Sequence, residues 1–159
     1  MSDMNRKPKI LVFDLDYTLW PFWVDTHVTA PFKKKGNDIV DVHGQKIHYY
    51  KEVPDVLKKL SDEGYELGIA SRTSEIAGAN QLLKLFNWEK YFKYKEIYPG
   101  SKIKHFSVIQ EASGTDYKDM IFFDDEHRNI VDVGKLGVTC IFVGSGITHA
   151  VVENALKNF

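Results

Sequence analysis

Cysteine is nearly missing from this chain. Cys140 stands alone among 159 residues, so no internal disulfide can form. It lies in the apolar run Val138-Thr-Cys-Ile-Phe-Val143, where a thiol packs like a small hydrophobe in a strand. A thiol nucleophile set in a phosphate-binding loop would need an arginine six positions on, and that position is Gly146. Long hydrophobic runs are missing too, since none approaches the ~18 residues of a membrane span. The segment that ends in Arg6-Lys7-Pro8 has no apolar stretch behind its charges, so no secretory leader is expected. Neither sign of charge is in excess. Lys and Arg number 21 against 22 Asp and Glu, a formal net charge of −1, and no bulk field draws nucleic acid or an anionic membrane. The six histidines show no zinc-ligand spacing. No repeat and no low-complexity linker interrupts the chain. The expectation from these absences is a cytoplasmic protein whose partners include neither nucleic acid nor membrane.

What is present is a globular composition, 43% hydrophobic, in a length that suits one domain over 1–159 with a full core. The run 9–15 reads as a buried strand. It ends in Asp14 and Asp16, whose i, i+2 spacing puts both carboxylates on one side of an extended chain. Two converging acids repel, and each is costly to desolvate, which makes a divalent cation a natural companion. Residues 17–50 read as an irregular insertion carrying a β-hairpin, with Lys33 to Lys35 at a solvated tip. Beyond it the pattern alternates. A helix opens at Pro54 and closes at Gly64, and a strand covers 65–70. A helix at 74–86 is followed by a strand at 92–97 and a helix at 101–112. Then come a strand at 120–123, a short helix near 126–135, a strand at 138–143 and a terminal helix at about 148–158. Strands alternating with helices predict an α/β fold, a Rossmann-like three-layer sandwich with a central parallel sheet and helices on both faces. Ligands of such sheets bind at the carboxyl ends of the strands.

Those ends carry a coherent set. The first strand ends in Asp14 and Asp16, the second in Ser71-Arg72-Thr73-Ser74, and the third leads to Ser101-Lys102. The fourth ends in Asp124-Asp125, and the last in Gly144-Ser-Gly146, a weak signal with no third glycine. The chemistry this suits is phosphoryl transfer. Mg²⁺ takes oxygen ligands, which Asp14 and Asp125 can supply. A phosphoryl group takes donors, which Ser71, helix N–H groups and Lys102 can supply. One carboxylate can attack phosphorus, and Asp16 can protonate the leaving oxygen and then activate water. Singly, each residue has a plainer reading: Ser71 and Ser101 as helix caps, Lys102 as a solvated charge, Asp124 and Asp125 as capping acids, Arg72 as a structural ion pair. Trp20, Phe22 and Trp23 read as packing for the insertion more readily than as a substrate platform.

In order, Asp14-Leu-Asp16-Tyr-Thr18, Ser71, Lys102 and Asp124-Asp125 resemble the four motifs of the haloacid-dehalogenase superfamily. The flanks Phe13 to His27, Ala70 to Glu75, Glu96 to Lys102 and Phe122 to Asp125 are similar to the eukaryotic magnesium-dependent phosphatase 1 family, and the resemblance spans about residues 9 to 145. It implies an acid phosphatase that needs Mg²⁺ and has no large cap domain. The implied substrates are phosphomonoesters, either small molecules such as aryl phosphates and phosphorylated sugar adducts or a phosphotyrosine side chain. It implies Asp14 as nucleophile, and Asp16 as acid/base with its backbone carbonyl on the metal. Ser71 and Lys102 would hold the phosphoryl group; Arg72, which the motifs do not include, reads by itself as a supporting phosphate contact. Asp125 would be a direct metal ligand and Asp124 would back it. A signalling receiver domain would place the acid pair after the first strand, the reverse of the order here. A non-enzymatic phosphate-binding module would be marked by loss of Asp14 or Asp16, and both are present. With only about 30 residues between first strand and first helix, the site is expected to lie under a flap rather than a cap.

Overall fold

The computed structural model describes residues 6–159. Five strands form one parallel sheet: β1 (Ile10–Phe13), then, after a two-stranded hairpin of β2 (Lys33–Lys35) and β3 (Asp38–Val40), β4 (Glu66–Ser71), β5 (Phe92–Ile97), β6 (Met120–Asp124) and β7 (Thr139–Phe142). Their spatial order is β5-β4-β1-β6-β7. The chain therefore runs outward from β1 on one side, returns, and runs outward on the other. The crevice where the direction reverses opens at the carboxyl ends of β1, β4 and β6.

All four residues of β1 are fully buried, because helices cover both faces of the sheet. Leu11 and Phe13 point into one core with Val56 and Leu57 of α1 (Val53–Asp62), Leu82 of α2 (Ile76–Leu85) and Val152 of α5 (His149–Lys157). Ile10 and Val12 point into the other, with Phe106 and Ile109 of α3 (Lys102–Ser113) and Val133 of α4 (His127–Gly134). This alternation along β1 is the period of two expected of a strand. Helix α1 carries a proline in its first turn and buries Val53, Val56, Leu57 and Leu60, one face at helical spacing. Helix α3 is delimited at both ends: Ser101 caps its N-terminus by accepting from the Ile103 N–H, and Gly114 ends it at φ 68°.

The insertion at 17–50 is no separate unit. Leu19, Trp20, Phe22, Val24, Phe32, Ile39 and Ile47 belong to the same hydrophobic cluster as Leu11 and Phe13. Buried Asp41 clasps its loops by accepting from the N–H groups of Thr29, His43 and Gln45. Lys33 to Lys35 form the exposed strand β2, and the hairpin turns just beyond them, at Gly36 and Asn37. Among the described residues no helix is long and apolar enough to cross a membrane.

Candidate active site

Asp14 follows β1 directly, and its N–H donates to the Phe123 carbonyl at 3.0 Å, which ties it to β6. The last residue of β6 is Asp124, fully buried. Lys102, the first residue of α3, is only 1% exposed. Its ammonium donates to Asp14 Oδ1 at 2.8 Å and to Asp124 Oδ2 at 2.7 Å. The reading of Lys102 as a solvated charge is thereby excluded. Asp124 also accepts from Asn129 Nδ2 at 3.0 Å and from the Glu126 N–H at 2.8 Å, so both its oxygens are engaged. Carboxylate oxygens of Asp14, Asp124 and Asp125 lie within 4.8 Å of one another.

This donor set fits a hard divalent cation. Three carboxylates face a single ammonium, and the affinities of Asp14 and Asp125 for protons are raised. Burial pushes the Asp14 carboxyl up to about 6, with the Lys102 charge opposing and the Asp124 charge adding. Burial and the Asp14 charge push Asp125 up to about 8. Burial disfavours the Lys102 ammonium, yet Asp14 and Asp124 outweigh it and hold the amine above the ordinary lysine value. A cation bound by oxygens relieves this repulsion.

Asp16 stands apart from the other three. Its Oδ1 accepts from the Trp20 indole N–H at 2.8 Å and the Val24 N–H at 3.1 Å. Burial raises its carboxyl to about 7, against these two hydrogen bonds. Its carboxylate is outside the converging cluster, which leaves only the backbone carbonyl for the metal role that the sequence resemblance implies.

The pocket, of ≈ 280 Å³, is walled by Asp14, Asp16, Trp23 and Asp25 on one side and by Ser71, Arg72 and Thr73 on another. Lys102, almost fully buried, forms its floor, and Glu126, Arg128 and Asn129 complete the lining. Ser71 is not a helix cap, contrary to its plainer sequence reading. Helix α2 starts at Ile76, with Glu75 as the cap that accepts from the Gly78 N–H. Ser71 is the buried last residue of β4, and its Oγ accepts from the Thr73 N–H at 3.2 Å. Its hydroxyl proton is thus free for an oxygen in the pocket. Arg72 reaches the Asn129 side chain at 3.4 Å, which places it on the rim in a supporting position. The aromatic stretch divides: Trp20 and Phe22 are buried and stacked, while Trp23 is 48% exposed and faces the pocket.

Sequence reasoning missed Asn129, His105 and the Trp20 indole. His105 is fully buried and joins the end of β4 to the loop after β5, its Nε2 lying 2.8 Å from the carbonyls of Ser71 and of Tyr98. No local pattern marks these residues. Thr18, whose hydroxyl donates to Asp14 Oδ2 at 3.3 Å, lies inside the first motif and was legible there.

The acid phosphatase family model matches residues 6–159. Magnesium-dependent phosphatase 1 of Homo sapiens is 57% identical over 157 residues, covering 98% of this chain and 89% of that protein. A HAD-like hydrolase superfamily protein of Schizosaccharomyces pombe is 45% identical over 83% of each chain. Among solved structures, a HAD-family enzyme of Bacteroides thetaiotaomicron, in complex with magnesium and inorganic phosphate, superposes with a TM-score of 0.65 at 17% identity, over 91% of this chain and 98% of that one. A HAD-superfamily hydrolase of Ehrlichia chaffeensis reaches 0.70 at 11% identity, over 96% and 98%. At such identities these two speak for the fold alone.

Proposed function

The chain belongs to the acid phosphatase family of HAD-like hydrolases and is a magnesium-dependent phosphatase; from that premise we propose that it hydrolyses phosphomonoesters through a covalent phosphoryl-Asp14 intermediate. The observation that carries this reading is the Lys102 ammonium held between Asp14 and Asp124 on the floor of a pocket that also presents Ser71.

Asp14 and Asp125 would hold Mg²⁺ directly, Asp124 would back them, and the Asp16 carbonyl would complete the protein's share. When bound, the ion supplies positive charge that offsets the repulsion between carboxylate and phosphoryl oxygens. The chain's own residues do the rest. Thr18 and Lys102 orient the Asp14 carboxylate, while the Ser71 hydroxyl and Lys102 hold the phosphoryl oxygens. An Asp14 oxygen forms a bond to phosphorus as the bond from phosphorus to the leaving oxygen breaks. The Asp16 proton passes to that leaving oxygen. Asp16, now ionised, takes a proton from water as the water oxygen attacks phosphorus. Phosphate departs, and the Asp14 carboxylate and the Asp16 proton are both restored.

Aryl phosphates, phosphotyrosine side chains and phosphorylated sugar adducts suit a pocket of this size with an exposed aromatic, Trp23, at its mouth. A purely phosphate-binding role is disfavoured, because Asp16 would then sit at the pocket with a carboxyl raised toward neutrality and no task. Asp14→Asn is expected to retain the fold by circular dichroism and to lose turnover. Mass spectrometry of acid-quenched wild-type enzyme is expected to find one phosphoryl group, on Asp14. Activity of the variant above a tenth of wild type, roughly 1.4 kcal/mol of barrier, would falsify the nucleophile assignment.

A further inference from the structure

From the hydrogen bonds around Asp16, we propose that Trp20 is a positioning residue for proton transfer: its indole N–H, with the Val24 N–H, holds Asp16 Oδ1 so that Oδ2 is the oxygen that gives and takes the catalytic proton. The inference rests on the acid/base reading of Asp16 given above.

A carboxyl oxygen accepts through two lone pairs. Oδ1 receives the Trp20 Nε1–H at 2.8 Å and the Val24 N–H at 3.1 Å, so both are used. A proton placed on Oδ1 would displace one of these donors, and a fully buried indole N–H has no water to turn to. Oδ2 has no partner among the described residues, and Asp16 lines the pocket. The proton is thereby assigned to Oδ2, the oxygen left free on a residue that lines the pocket.

The indole itself is held firmly. Trp20 stacks on Phe22 at 5.5 Å between centroids and on Trp88 at 6.4 Å, with Phe86 tilted against it at 6.4 Å. The backbone closes the same turn, as the Tyr17 N–H donates to the Trp20 carbonyl at 2.6 Å. The aim of Asp16 is therefore fixed by aromatic side chains from the insertion and from the far end of α2. A tryptophan that would otherwise count as core packing links the insertion to the chemistry.

The test separates positioning from packing by leaving group. Trp20→Phe keeps an aromatic ring and removes the N–H. Site-specific replacement of Trp20 by 3-benzothienylalanine, in which sulfur takes the place of N–H, preserves the shape more closely still. Each variant is assayed with Mg²⁺ on an alkyl phosphate, whose leaving oxygen needs a proton, and on 4-nitrophenyl phosphate, whose leaving group does not. The expected result is a loss of about tenfold to a hundredfold in kcat/KM for the alkyl ester, the cost of one hydrogen bond to a charged group. The aryl ester should change less than about twofold in kcat/KM, and calorimetric binding of inorganic phosphate should be unchanged. Equal losses on both esters in the benzothienyl variant would show that Trp20 acts only through packing, and unchanged alkyl turnover would show that Oδ1 needs no indole. Asp16→Asn in the same assays keeps the two claims distinct. If it spares the alkyl ester, the acid/base reading of Asp16 fails. If it slows the alkyl ester and the Trp20 variants do not, only the positioning inference is overturned.

Discussion

At the scale of residues, charge count decides behaviour. Lys102 compensates Asp14 and Asp124, but Asp125 forms no ion pair among the described residues. Its carboxyl is pushed up to about 8 by burial and by the Asp14 charge. An unfolded aspartate titrates near ~3.9, so the metal-free protein takes up a proton here on folding. That contribution is fully present below the unfolded value and is lost as pH rises through about 8. Bound cation cancels the loss. Thermal unfolding followed from pH 5 to 8 should therefore show metal-free enzyme losing stability with rising pH, and stabilisation by Mg²⁺ growing over the same window. At a hundredfold excess over its dissociation constant the ion should add about 2.7 kcal/mol, and Asp125→Asn should flatten the metal-free pH dependence. A stabilisation by Mg²⁺ that shrinks toward pH 8 would place the ion elsewhere.

Among the elements, the loops after the strands hold the site, and one of them carries a strict requirement. Gly146, in the loop between β7 and α5, has φ +81°, and a Cβ there would lie 2.4 Å from the Tyr50 ring. The loop needs this closeness because it packs on the turn after β1: the Ile147 N–H donates to the Thr18 carbonyl at 2.9 Å and the Tyr50 N–H to Leu19 at 3.1 Å. Gly146 is thus a steric device that seats the first motif. Gly146→Ala combines left-handed strain with overlap and should destabilise the protein by about 2–4 kcal/mol in urea unfolding. A change within about 0.5 kcal/mol, the range of neutral surface substitutions, would mean that the loop yields without consequence.

For the whole molecule, the arrangement of layers governs what can reach the pocket. The insertion is short and its apolar residues belong to the main core, so among the described residues no second body closes over Asp14. The wall it contributes is Trp23 and Asp25. A phosphotyrosine peptide should be hydrolysed with kcat/KM at least comparable to that of small alkyl phosphates, measured as phosphate release from a panel of monoesters with Mg²⁺. Turnover confined to compact metabolites would show that the insertion works as a closed lid, and the reading of an open mouth would be wrong.

The sequence by itself determined the α/β layering and pointed to the candidate residues that the fold gathers at one rim, for a physical reason. Strand and helix periodicities are local, and each motif sits where an apolar run stops. Asp14, Ser71, Lys102 and Asp124-Asp125 each stand at or beyond the carboxyl end of a strand, and parallel strands bring these ends to one rim. Helix α3 was legible from Ser101, and the presence of a hairpin from its polar segment, although the turn lies at Gly36 and Asn37 and the expected tip, Lys33 to Lys35, is strand β2. What depends on residues distant in sequence was not legible. The order β5-β4-β1-β6-β7 decides that Lys102 lies between Asp14 and Asp124. Tertiary packing buried that lysine, drew Asn129 onto Asp124, placed His105 between the end of β4 and the loop after β5, and separated Trp23 from Trp20. It also gave Asp16 its orientation, because the indole that holds it is fixed by Phe86 and Trp88, more than sixty residues away in sequence. Hydrogen bonds and Coulomb forces act through space, so their partners are known only once the chain has closed on itself.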